Sequence, residues 1–152
     1  MNKERIILFC VGLYLGLSVY LYYVLPQQIP VQFAGDGSVN CWGDKEELFI
    51  IAFILVAITL LFRFIVRHPH LITTPVRITD ENRDILLKKY ANLLEWVNLI
   101  VIALFFSILG VMGGHVLDWA FVYHYGQWLA MCLVFVIIGV VLVNYKSIKL
   151  KM

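Results

Sequence analysis

Side chains able to do chemistry are few in this chain of 152 residues, and most fall in two short polar stretches. The first is DGSVNCWGDKEE, from Asp36 to Glu47. Here Asp36, Ser38, Asn40, Trp42, Asp44 and Glu47 follow the ligand spacing of a calcium loop, in which hard oxygen atoms surround the cation. The pattern is incomplete, because Cys41 stands where that loop needs a glycine and no helix enters directly before Asp36. The second stretch, GGHVLDWAFVYHYGQW, holds His115, Asp118 and His124, a donor set suited to zinc. It lacks the helix-fixed histidine pair of a zinc protease, and histidine and tryptophan also sit readily at a lipid interface. His68 and His70 merely flank a proline. No metal and no other cofactor is expected.

Glu95 and Asn98, one turn apart, lie in an apolar run, where ionisable groups commonly mark transport or proton relay. The plainer reading places Glu95 at the interface, reaching water or a nearby lysine. The first apolar run has no carboxylate, which speaks against small four-helix multidrug exporters, whose coupling rests on a glutamate there. No nucleophile stands at a recognisable spacing from a base, so no enzyme is expected. Gly12 and Gly16 form a GxxxG, which permits close helix approach. Packing inside a bundle is its default use, and a homodimer seam the alternative.

The elements that must position these residues follow from composition. Hydrophobic residues make up 62% of the chain and charged ones 14%, against about 45–50% and about 25% in soluble domains. Four apolar segments, 6–25, 48–66, 93–112 and 127–144, have the length of about 20 residues that crosses a hydrocarbon core. The expected fold is therefore an all-α membrane protein of four transmembrane helices in one domain, 1–152. Lys3 and Arg5 precede the first segment, but its apolar region is too long for a cleaved signal and carries Tyr20, Tyr22 and Tyr23 where an aromatic belt belongs. It reads as a retained anchor.

Lysine and arginine set the orientation, because basic flanks tend to stay cytoplasmic. They precede the first segment, run from Arg63 at the end of the second through the loop 67–92, and follow the fourth; only Lys45 falls elsewhere. Both termini and the 67–92 loop are expected inside, and the 26–47 loop outside. The net charge of +2 expresses this asymmetry and calls for no nucleic acid. The basic inner rim should favour anionic lipid heads of the bilayer. Cys10 and Cys132 fall in apolar segments near opposite membrane faces, so Cys41 is expected as a free thiol, with an intermolecular bridge as the alternative.

Pro26 should end the first helix. IPVQF then alternates apolar Ile29, Val31 and Phe33 with Pro30 and Gln32, GDG offers a turn, and SVNCW can return as a second strand. An isolated hairpin is marginal in water, so it should pack on the helix ends, with Phe33 and Trp42 as anchors. Asp44 with Glu47 reads as a capping box for the second helix. After Pro69 and Pro75, a helix starting near Asp80 and running to Met112 would be about 50 Å long and project beyond the membrane, with Asp84 and Lys88 paired along it.

The outer loop, from LPQQIPVQF through Gly37 to NCWGDK, resembles a bacterial membrane family of unknown function that includes the N-terminal region of the SdpI immunity protein. That family joins its first two membrane helices by LPxxIPxHF and NxxGxxDxWGxK. Leu25, Pro26, Ile29, Pro30, Phe33, Gly37, Trp42, Gly43 and Lys45 fit; Gln32 replaces the usual histidine and Asn40 the usual acid, while Ala34 or Gly35 stands near the usual asparagine. The resemblance implies a bacterial plasma-membrane protein. For the SdpI-like branch it implies immunity to a secreted membrane-active peptide toxin outside and capture of a transcriptional repressor inside. If the family uses the histidine and acid in chemistry, this chain has lost it. The alternative reading is a small transporter or an accessory subunit of a membrane complex.

Overall fold

The computed structural model describes residues 3–35, 38–68, 71 and 83–149, with the side chains of residues 123, 124 and 145–149 excepted. In chain order it holds α1 (Lys3–Val24), β1 (Gln28–Phe33), β2 (Val39–Asp44), α2 (Glu47–Arg67), α3 (Arg83–Val116) and α4 (Ala120–Lys149). All four helices are long and apolar enough to cross a membrane, the pattern of a multi-pass membrane protein. Each apolar segment read from the sequence falls on a helix of its own.

α1 ends just before Pro26, where the Leu25 N–H still reaches the Leu21 carbonyl at 2.8 Å. Proline has a fixed φ and no N–H, so the ladder stops there. β1 and β2 pair antiparallel, with Ile29 opposite Gly43 and Pro30 opposite Trp42. The register shifts on either side of Gln32. A bulge beside Pro30 suits a residue that cannot donate to the ladder.

The capping box is not formed. Glu46 takes the N-cap position of α2 with helical backbone angles and no side-chain cap, because Asp44 is held in β2 opposite Gln28. The turn supplies the missing acceptors through backbone: Leu48 N–H donates to Lys45 O at 3.1 Å and Phe49 N–H to Glu46 O at 3.0 Å. Asp80, the expected start of α3, lies outside the described residues, as do Pro69, His70 and Pro75. Asp84 and Lys88 are both exposed and make no ion pair with each other, in keeping with the small gain such a pair has in water.

The second polar stretch is mostly helix rather than loop. α3 continues through Gly110, Gly113 and Gly114, and only residues 117–119 separate it from α4. Asp118 adopts a left-handed φ of 55°, and the Trp119 N–H returns to the Gly114 carbonyl at 2.9 Å. This is the αL ending of a helix, with aspartate in the place glycine usually takes.

The core is built from three helices and one strand. Ile7, Tyr14 and Leu21 of α1, Ile29 of β1, Leu48, Ala52 and Leu55 of α2, and Ile102, Leu109 and Met112 of α3 form one buried cluster. α3 is the hub, touching every other helix and β1. α4 packs along α3 and buries none of its apolar window. Lipid is as apolar as leucine, so a membrane helix needs tight contact on one side only.

Candidate functional site

At one end of the bundle the hairpin is bolted down along one edge. Ile29 and Pro30 are fully buried, next to Leu25 and Leu48 at the adjoining ends of the chain. The Phe33 ring stacks on His115 of α3, centroids 5.1 Å apart. Ala34 accepts a 2.8 Å hydrogen bond from Gln127 Nε2 of α4. The base is closed by Lys45 N–H to Gln27 O at 3.0 Å, and Lys45 Nζ lies over the Tyr22 ring, 4.5 Å from its centroid. Gly43 has no room for a side chain, since a Cβ there would meet the Glu47 carboxylate and stand 2.9 Å from Val31 Cγ1.

The loop residues thus divide into two sets. Ile29, Pro30, Phe33, Gly43 and Lys45 dock, while Pro26, Gln32, Ser38, Asn40, Cys41 and Trp42 face outward. Trp42, expected as an anchor, is 54% exposed, although its partner across the ladder, Pro30, is buried. Gln32 and Asn40 are both exposed, with no hydrogen bond between them. Asp36 and Gly37 lie outside the described residues.

The described members of the two metal sets each serve another part of the fold. Asp44 belongs to β2, the Glu47 side chain covers Gly43, His115 stacks on Phe33, and Asp118 forms the turn between α3 and α4. The His124 side chain is outside the described set. Among the described residues no three His, Cys, Asp or Glu side chains come together. Cys10, Cys41 and Cys132 are free thiols.

The opposite end of the bundle carries an ionic junction that the sequence reading did not assemble. Arg63 and Arg67 of α2 both bond Glu4 Oε1 of α1, Arg67 at 3.3 Å. Lys3 pairs with Glu95 of α3 at 3.6 Å, bonds Asn92 and lies 4.8 Å from the Trp96 ring centroid. Glu95 therefore reaches a lysine. Deeper in, Asn98 is only 1% exposed and accepts a 3.4 Å hydrogen bond from the Thr59 hydroxyl. Between these groups lies a cleft of about 200 Å³, with Ile7, Phe62, Val66 and Leu94 as apolar walls. The available signal was the spacing of Thr59, Arg63 and Arg67, which puts all three on one face of α2.

Gly12 and Gly16 do not pack inside the bundle. A Cβ at either would meet nothing within 4 Å, because α1 turns its Tyr14 and Ser18 face inward instead. The close helix approach is elsewhere, between Gly126 of α4 and Val111 of α3.

Residues 9–56 match a protein family described as a domain of unknown function, DUF1648. The matched segment runs from α1 through the hairpin into α2. No curated protein and no solved structure matches the chain.

Proposed function

We propose that the chain is an immunity or sensor protein of the bacterial plasma membrane, whose hairpin faces outward and engages a secreted membrane-active peptide. The observation that carries this reading is the two-sided hairpin: one edge is fixed on α3 and α4, while Trp42, Asn40 and Gln32 are left exposed. A pre-formed platform spends no ordering entropy on binding. A projecting indole suits the lipid interface, where an amphipathic peptide would lie. The likeness of the LPQQIPVQF and NCWGDK elements to the SdpI-like loop supports the same role. With Lys and Arg retained inside, both termini are cytoplasmic, and the first turns of α3 form the surface for a repressor. No catalytic step is part of this role.

The test is protection. Expression in a strain sensitive to such a peptide is expected to raise survival, and Trp42→Ala is expected to remove the protection at unchanged membrane abundance. If the intact chain protects no sensitive strain, the reading fails.

A further inference from the structure

The cleft between α1, α2 and α3, at the end away from the hairpin, has more hydrogen-bond donors than acceptors. Arg63 and Arg67 converge on the same Glu4 oxygen, so one carboxylate stands between two cations. Each guanidinium carries five N–H donors, and among the described residues Glu4 is the only hydrogen-bond partner of either. On the far wall Glu95 is matched by Lys3, which itself stands outside the lining. On the near wall two guanidiniums share the one Glu4 carboxylate, two positive charges to one negative.

The cleft also presents a buried amide. Asn98 lines the cleft and uses its carbonyl oxygen for Thr59, while its NH2 has no acceptor among the described residues. The NH2 keeps two donors for a group that enters the cleft. Planar guanidinium forks match phosphate oxygens in geometry as well as charge.

We propose that this cleft binds a phosphate-ester anion, supplied by the headgroup of an anionic phospholipid. Its walls separate the lipid from free phosphate: Ile7, Phe62, Val66 and Leu94 offer apolar contact to an amphiphile and nothing to a hydrated ion. Arg67, whose side chain is 66% exposed, stands at the mouth, where a headgroup would enter from the membrane surface. The proposal rests on the four helices crossing a membrane and is independent of what the hairpin binds.

The full chain, purified in dodecyl maltoside, is heated while its tryptophan fluorescence is followed, with dioleoylphosphatidylglycerol, dioleoylphosphatidylcholine or inorganic phosphate added. A ligand that binds the folded state raises the midpoint saturably. The expected result is a rise with phosphatidylglycerol and none with phosphatidylcholine or inorganic phosphate. Arg67→Gln is expected to unfold at the wild-type midpoint without lipid and to need roughly tenfold more phosphatidylglycerol for the same gain. Lys88→Gln, outside the cleft, should leave the titration unchanged. If Arg67→Gln does not purify folded, Arg67→Lys keeps the charge but loses the fork and should show a smaller loss. An equal rise with phosphatidylcholine, or wild-type titration by the Arg67 variant, overturns the proposal. A rise with inorganic phosphate and no further gain from phosphatidylglycerol keeps the anion site and overturns the lipid as its source.

Discussion

The side-chain amide of Gln127 donates to the Ala34 carbonyl across 2.8 Å, tying the least buried helix to the hairpin. Gln127→Leu is expected to cost about 1 kcal/mol, the net worth of such a bond. Limited proteolysis should then cut between β1 and β2 faster in the variant, while far-ultraviolet dichroism stays unchanged. Equal cleavage rates would mean that the hairpin is held by Phe33 and Ile29 alone.

Gly126 sets the spacing of α3 and α4. A Cβ there would stand 2.8 Å from Val111 Cγ2, and valine in a helix has almost no alternative rotamer. Gly126→Ala is therefore expected to destabilise by about 1–3 kcal/mol, as overpacked cores do. Gly16→Ala, which meets open space, should stay within about 0.5 kcal/mol. Thermal unfolding of the two variants side by side checks the contrast.

Asp118 holds a left-handed backbone that costs an L-residue about 1–2 kcal/mol. Asp118→Gly is expected to raise the unfolding midpoint modestly, since glycine's extra chain entropy offsets part of the gain. Added zinc should shift wild type and variant alike. A midpoint that falls in the variant would give the carboxylate a role beyond the turn.

Lys3 and Glu95 pair at 3.6 Å with each side chain about a third exposed. Such a pair is worth less than about 1 kcal/mol, so Glu95→Gln should leave stability and membrane abundance nearly unchanged. A solute-uptake activity abolished by this substitution, with the hairpin intact, would instead favour the small-transporter reading.

Hydropathy located the helices because membrane crossing imposes a length and an apolar composition that no local preference overrides. The hairpin was legible for a similar reason: Pro26, the alternation from Ile29 to Phe33 and the glycines leave few other conformations. What escaped was pairing over long distances. Lys3 and Glu4 read as flanking charges, and only the packing of α1 between α2 and α3 brings them to Arg63, Arg67 and Glu95. The helical course of the second polar stretch escaped because hydropathy ends one apolar segment at 112 and opens the next at 127, with Gly113, Gly114 and Gly126 in between. Inside a bundle they serve contact instead, with Gly113 against Leu21 and Gly126 against Val111. The exposure of Trp42 was likewise hidden, since its partner Pro30 is buried and pairing alone would place the two alike.

The stack of Phe33 on His115 also bears on how portable the hairpin is. The matched segment, 9–56, stops within α2, yet one wall supporting β1 comes from α3, far along the chain. The segment is not a module that closes on itself. Wherever this hairpin takes the same pose, a third helix must arrive from outside the segment to complete its seat, and a fragment cut after α2 would leave the Phe33 ring without its stacking partner.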